Sequence, residues 1–310
     1  MMTETAARCL LFTHLARAER AGLPLNDTIR LLQNESFAVP GARLDRFRDE
    51  VAAGADIAAA GLNSGLFLPW EARLLSAAQS SGQLASTFSS LARRYQGRAD
   101  RSRRLKGNML LPLLLFFLAI FVAPVPALYR GEISGLGYLF STLGRLLLFL
   151  GGILLLSHGW RRLEAEEPES SMFRLLLHIP VAGSLIREQQ RLYYLQNLSL
   201  LLTAGLPAFT ALETAALGVR HPALRERFAA AADYCRGGMD VATALEHCGA
   251  LEKPGEVSLA KSGEYSGQLD TMIRHQANLL EERLDRRYSL VTEWLPRFSY
   301  LLVLAYIVAG

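Results

Sequence analysis

Apolar residues fall three and four positions apart over most of this chain, the spacing that lines one face of an α-helix. Leu25, Ile29 and Leu32 share one such face, and Leu84, Phe88, Leu91 and Tyr95 share another. Leu269, Met272, Ile273, Gln276 and Leu280 keep the same spacing, with Gln276 as the one polar break. No stretch alternates apolar and polar residues as a half-buried strand would, so the pattern predicts an all-α protein of short helices and tight turns. Three segments are apolar all round. Met109 to Leu128 carries no charge over about 20 residues, enough to cross a ~30 Å hydrocarbon core. Tyr138 to Ser157 is similar, interrupted by Arg145. Leu295 to Gly310 is shorter: about 16 residues at ~1.5 Å each reach only ~24 Å. Either the chain ends before the natural stop of that span, or Trp294 and Arg297 sit in a thinned interface.

The chain also repeats itself about 184 residues on. Ala21-Gly22-Leu23-Pro24 returns as Ala204-Gly205-Leu206-Pro207. Gly54-Ala55-Asp56-Ile57-Ala58 is echoed by Gly238-Met239-Asp240-Val241-Ala242, and Ser81-Gly82-Gln83-Leu84 by Ser266-Gly267-Gln268-Leu269. Gly-Leu-Pro predicts a helix stop, where glycine takes the left-handed cap and proline starts the next helix in its first turn. Ser81-Gly82 and Ser266-Gly267 predict a second helix–turn–helix joint. The expected organisation is two tandem-duplicated helical-bundle domains, each of about five or six short helices, with about three transmembrane helices. Repeat one covers 1–106, the first span 107–128, a short external loop 129–137 and the second span 138–158. A polar linker follows at 159–174, then repeat two at 175–290 and the third span at 291–310.

Charge orients this arrangement. Arg93, Arg94, Arg98, Arg101, Arg103, Arg104 and Lys106 crowd the approach to the first span, and Arg161 and Arg162 follow the second. Between the spans lie only Arg130 and Glu132, so the positive-inside rule puts both repeats in the cytoplasm of a multi-pass membrane protein. Met1 to Arg20 has no long apolar core or cleavage site, and the first span is expected to act as an internal anchor. The formal charge of +4 invites a nucleic-acid reading, but the basic residues cluster beside a span, where anionic lipids account for them. No nucleic-acid partner is expected. Cys9, Cys235 and Cys248 form no C-x-x-C pair and are expected to be reduced. Pro124 and Pro126 are expected to kink or end the first span, and Arg145 either snorkels to the outer interface or meets an acidic partner helix.

Signatures of chemistry are missing. There is no G-x-x-x-x-G-K-[ST] loop, no H-E-x-x-H, no paired C-x-x-C, and no serine with a glycine two residues before it. The six histidines are scattered without ligand spacing. The expectation is a non-enzyme with no catalytic, cofactor or metal site. Glu264, in Gly263-Glu264-Tyr265-Ser266-Gly267, is the acidic residue that stands out. It either stabilises exposed amides at the start of the next helix or contacts a partner.

His178-Ile179-Pro180-Val181-Ala182-Gly183-Ser184-Leu185, followed by Leu195 to Leu206 and Pro207, resembles the opening of the F-domain of type II secretion. The same domain occurs in platform proteins of type IV pilus assembly. Gly263-Glu264-Tyr265-Ser266-Gly267 resembles its Gly-Glu-x-x-Gly turn, and Phe121-Val122-Ala123-Pro124 the end of its first span. The order of repeat, two spans, repeat and final span matches as well. Repeat one departs, with Ala78-Gln79-Ser80-Ser81-Gly82 where the pattern has Gly-Glu, and the chain begins almost directly in that repeat. The resemblance implies a non-enzymatic inner-membrane platform that couples a cytoplasmic hexameric assembly ATPase to extraction and assembly of pilin-like subunits. It implies further contacts with other inner-membrane components of the machine, with anionic lipids and with other copies of the chain in a homo-oligomer. Gly22, Pro24, Gly82, Pro124, Pro180, Gly183, Gly205, Pro207, Gly263, Glu264 and Gly267 are its motif and candidate interaction positions. Arg98, Arg101, Arg103, Arg104 and Lys106 form its membrane-proximal basic helix, a candidate lever. A multi-pass transporter or channel subunit is the alternative, although transporter repeats are usually the membrane helices themselves.

Overall fold

The computed structural model describes residues 4–34, 41–122 and 180–309, together with 125, 129, 131, 134, 136–140, 142–144, 146, 147 and 151. Among these residues the chain is helical, with no strand. Repeat one comprises α1 (Glu4–Arg20), α2 (Leu25–Asn34), α3 (Gly41–Ala52), α4 (Ile57–Asn63), α5 (Pro69–Ser80) and α6 (Leu84–Val122). Repeat two follows the same plan with α7 (Pro180–Thr203), α8 (Ala208–Ala216), α9 (Pro222–Arg236), α10 (Val241–His247), α11 (Pro254–Tyr265) and α12 (Leu269–Ala309). The chain divides into two compact units, residues 1–100 with 185–283 and residues 101–184 with 284–310. The first five helices of repeat one and α8 to α11 of repeat two lie in the first unit, and α6 and α12 run on into the second.

Glycine sets the helix boundaries in both copies. Gly22 and Gly205 have φ of +65° and +85°, and Gly82 and Gly267 have +68° and +70°, values a residue with a Cβ reaches only at a cost. Each closes the helix before it, as where the Gly22 amide donates to the Glu19 carbonyl. The prolines that follow sit one place earlier than expected. Pro207 is the N-cap of α8 and its carbonyl accepts from the Ala211 amide, while Pro24 accepts from Asp27 and Thr28 just ahead of α2. Proline fits this position because its carbonyl is free to accept and the nitrogen there needs no donor. Proline does open the first turn at Pro69, Pro222 and Pro254.

The repeats bury the same positions with different side chains. In repeat one Phe12 stacks against Phe67, Phe88 and Tyr95, with ring centres 5.7–6.2 Å apart, and Phe47 meets Phe67 edge-on. In repeat two the equivalent places hold Leu195, Leu251, Ile273 and Leu280, all buried. Offset-stacked rings add about 0.5–1.5 kcal/mol per pair beyond area burial, so the two cores reach one shape by different contacts.

In the second unit, apolar side chains point outward. Leu114, Phe117, Leu118 and Phe121 of α6 are exposed, as are Leu139, Phe140, Leu143 and Leu147. The Tyr138 hydroxyl donates to the Phe121 carbonyl at 3.0 Å. Among the described residues, no helix is long and apolar enough to cross a membrane. Of the first expected span, α6 holds Met109 to Val122. Pro124, Pro126, Arg145, the linker at 159–174 and residues 152–158 of the second span lie outside the described residues. The third expected span forms the end of α12.

Candidate interaction site

Among the described residues, each repeat braces its helices with a buried arginine–glutamate pair. In repeat one, Arg8 of α1 donates from Nη1 to Glu71 Oε2 at 2.9 Å and to the Leu66 carbonyl at 3.5 Å. Glu71 is fully buried, accepts from the Leu68 amide at 2.7 Å, and takes the Tyr95 hydroxyl on Oε1. In repeat two, Arg191 of α7 donates from Nη2 to Glu256 Oε2 and from Nε to the Ala250 carbonyl, each at 3.0 Å. Here Leu280 stands at the tyrosine's place, and Arg283, one turn further along α12, donates to Glu256 Oε1 at 3.0 Å instead. The pairs share one register: Arg191 and Glu256 stand where Arg8 and Glu71 stand in the first copy. Neither pair was among the residues read from the sequence. The signal was available, because Pro69-Trp70-Glu71 and Pro254-Gly255-Glu256 share Pro-x-Glu at the repeat spacing.

Their electrostatics differ with the partners. Burial would by itself push the Glu256 carboxyl up, but hydrogen bonds from Arg283 and the Glu252 amide, with the charges of Arg191 and Arg283, hold it below the usual carboxylate range. Burial, followed by the neighbouring Glu71 charge, pushes the Tyr95 phenol well up, so it stays a donor.

Glu264 caps a helix, but not the next one. Its carboxylate accepts from the Val241 amide at 2.8 Å and the Ala242 amide at 3.0 Å, the exposed donors at the start of α10. Asp240 completes the cap through the Thr243 amide at 3.0 Å. Glu264 ends α11, and the chain folds back so that this end meets the start of the preceding helix. In repeat one the equivalent residue is the exposed Gln79, and the Asp56 side chain makes no cap on α4. Gly263 is buried because a Cβ there would stand 2.5 Å from Met272 Cγ. Repeat one exchanges the sizes, with Ala78 and Thr87 at these places, both buried.

The repeats meet inside the first unit through a cluster of cations and rings. Arg94 of α6 is buried, its guanidinium carbon 4.6 Å from the centre of the Trp70 ring. It donates to Asn197 Oδ1 of α7, and from Nη2 to the Tyr193 carbonyl at 3.5 Å. Arg98 lies over the Tyr193 ring at 3.6 Å, a cation–π contact across the repeats. Arg73 of α5 reaches Thr214 of α8 at 3.4 Å. Burial, then the neighbouring Arg98, pulls the Arg94 guanidinium down to about 9, yet it keeps its charge at neutral pH. Asn197 is fixed in turn by donating to the Ala215 carbonyl at 3.1 Å.

Of the expected positions, the structure thus assigns Gly22, Gly82, Gly205 and Gly267 to turns, Pro24 and Pro207 to helix starts, and Gly263 to close packing. Pro180 opens α7 and Gly183 is buried within it. Arg98, Arg101, Arg103, Arg104 and Lys106 all lie on α6, where Arg98 joins the repeat contact and Arg103 is exposed. Among the described residues no group of three His, Cys, Asp or Glu side chains could hold a metal ion.

The duplication has its counterpart among known proteins. The model of the family "Type II secretion system (T2SS), protein F" matches residues 11–129 and again 194–310. Over 138 residues the chain is 29% identical to the type II secretion system protein F of Pseudomonas aeruginosa, covering 43% of this chain and 34% of that protein, about a third of its length. It is 27% identical to the type 4 fimbrial assembly protein PilC of Pseudomonas putida, covering 96% of this chain and 79% of that protein. With the type II secretion system protein F of Aeromonas hydrophila the identity is 24%, over 97% of this chain and 82% of that one. With two copies of one helical unit matched in order over most of its length, the chain belongs to the type II secretion system protein F family.

Proposed function

We propose that this chain is a non-enzymatic platform protein of the bacterial inner membrane, serving a type II secretion or type IV pilus-like machine. In this reading it couples a cytoplasmic assembly ATPase to the extraction and assembly of pilin-like subunits. The observation that carries it is the duplicated six-helix unit, matched by the family in both copies, with each copy followed by apolar sequence. The outward-facing Leu114, Phe117, Phe121, Leu139 and Phe140 support a membrane setting, because exposed large apolar side chains suit lipid or a partner helix better than water. The basic residues Arg101 to Lys106 suit the cytoplasmic headgroup layer, and both repeats would lie on that side.

The test is co-purification of the full chain in mild detergent with the host's candidate assembly ATPase, following complex formation and ATP turnover. A stoichiometric complex with altered turnover is the expected result. No association, together with solute flux by the chain alone in vesicles, would overturn the reading in favour of a transporter. Because Glu264 caps α10, contact mapping should use exposed neighbours such as Tyr265, which is 88% exposed, rather than Glu264.

A further inference from the structure

The last helix of each repeat begins in the same way and is held differently. Ser81-Gly82-Gln83-Leu84 and Ser266-Gly267-Gln268-Leu269 set α12 on α6 in one register. Leu84, Phe88, Leu91, Arg94, Tyr95 and Ala99 of α6 are all buried. Their counterparts on α12 are Leu269, Ile273, Gln276, Leu279, Leu280 and Leu284, of which Leu269 is half-buried and Leu279 exposed. The rings of Phe88 and Tyr95, which stack on Phe12, give way to the smaller Ile273 and Leu280. Leu91, wholly buried, gives way to Gln276, which is 4% exposed. The start of α12 thus buries fewer and smaller apolar groups than the start of α6.

Gln276 gains nothing there from its polarity. Among the described residues, neither its Oε1 nor that of Gln196 on α7 meets a hydrogen-bond donor, although both atoms are buried. A buried acceptor without a donor forfeits the bond that water gave it, and Gln276 recovers that bond whenever α12 leaves the core. The polar ties on α12 lie towards its edges. Arg274 donates to Thr203 at 2.6 Å in the open, and Gln196 to Glu281 at 3.1 Å. Arg283, which reaches Glu256, is 34% exposed. Ties that share their charge with water hold weakly. By contrast α6 is fixed on two sides, with the Tyr95 hydroxyl on Glu71 and Arg94 on Asn197 of repeat two.

We propose that α12 is the movable helix of this pair: residues 269–283 lift from α7 and α11 in a local opening, and Gln276 is the residue that keeps the closed state shallow. α6 stays seated in repeat one meanwhile. The opening is confined to one element, because the rest of repeat two keeps the Arg191–Glu256 brace and its own buried core. α12 continues to Ala309, so displacement of its first part is passed towards the third apolar segment. The basic run of α6, the candidate lever in sequence, belongs to the fixed helix. The secretion reading is not required for this inference.

The experiment compares thiols at two equivalent buried sites in the full chain in mild detergent, Ala92→Cys on α6 and Ala277→Cys on α12. Both are made in a Cys9→Ser background, since Cys9 Sγ lies 3.6 Å from the Ala92 carbonyl. Ala92 is 8% exposed and Ala277 1%, so static exposure favours the wrong site. Modification by N-ethylmaleimide is followed peptide by peptide by mass spectrometry, and each rate is divided by that of the same thiol in the denatured chain. Native Cys248, buried in repeat two, reports opening of the remainder of that repeat. Position 277 should react at least about tenfold faster than 92 and than Cys248. Adding Gln276→Leu should slow position 277 roughly tenfold and leave Cys248 unchanged, while melting shows that each variant folds. Three results would overturn the proposal: position 277 reacting no faster than 92, position 277 keeping pace with Cys248, or no slowing by Gln276→Leu.

Discussion

Replacing Glu71 by glutamine would remove one negative charge from the core of repeat one and leave its shape. Glu71 is fully buried, and the side chain of Arg8 is 10% exposed, so neither charge has water to fall back on. Removing one partner of such a pair costs about 3–5 kcal/mol, because the other is left charged and buried. For a domain of 150–250 residues each kcal/mol lowers Tm by about 2–4 °C, so Glu71→Gln should melt roughly 10 °C lower. Arg8→Met should cost a similar amount by stranding Glu71. The double variant should melt well above the sum of the two losses, since neither charge then remains, with a coupling of about 2 kcal/mol or more. The assay is thermal melting of the full chain in detergent, followed by far-ultraviolet circular dichroism, for all four members of the cycle. Arg191→Met in repeat two should cost less, because Arg283 still holds Glu256. Additive losses in the cycle, or a Glu71→Gln chain that melts like the parent, would refute the assignment of this pair as the brace of repeat one.

Four other outcomes are expected. Glu256 is depressed in the folded chain, so its contribution is complete above the ordinary carboxylate value of about 4.3 and is lost as pH falls below that towards its folded value. Melting of the parent and of Glu256→Gln should therefore differ most above about pH 5 and converge in acid; a constant gap would count against the depressed carboxyl. Glu264→Ala should cost about 1–2 kcal/mol and speed hydrogen exchange at the Val241 and Ala242 amides, whereas Gln79→Ala should leave α4 unchanged. Gly218→Ala would set a Cβ 1.9 Å from Asn197 Nδ2 and should cost about 1–3 kcal/mol by displacing the acceptor of Arg94; a melting curve checks it. Maleimide should label the half-buried Cys9 and Cys235 in the folded chain but reach Cys248 only on unfolding, since Cys248 is 1% exposed and burial pushes its thiol up to about 11.

Repetition made much of the architecture legible. Gly22 returns as Gly205 and Gly82 as Gly267 at nearly one offset, and a glycine that takes positive φ after a run of helical residues marks a helix end. The apolar periodicity of Leu84, Phe88, Leu91 and Tyr95 needed only the helix repeat to predict a buried face, and all four are buried. Such signals are local: they depend on the residue and its near neighbours along the chain.

Long-range partners followed other rules. Arg8 and Glu71 are 63 positions apart, and each alone reads as an ordinary surface charge until the fold brings them together and excludes water. Glu264 was expected either to cap the next helix or to meet a partner, yet the helix it caps lies behind it in the chain, a choice made by how α11 folds back on α10. Arg94 and Arg98 read as a membrane-proximal basic run, and charge alone gave no reason to take them into a repeat contact with Trp70, Tyr193 and Asn197. Periodicity, turn chemistry and duplication are written in single residues and their spacing, so the chain carries them openly. Which charges meet, which amides a carboxylate caps and which faces stay open depend on positions distant in sequence arriving at one place, and that arrival exists only in the folded molecule.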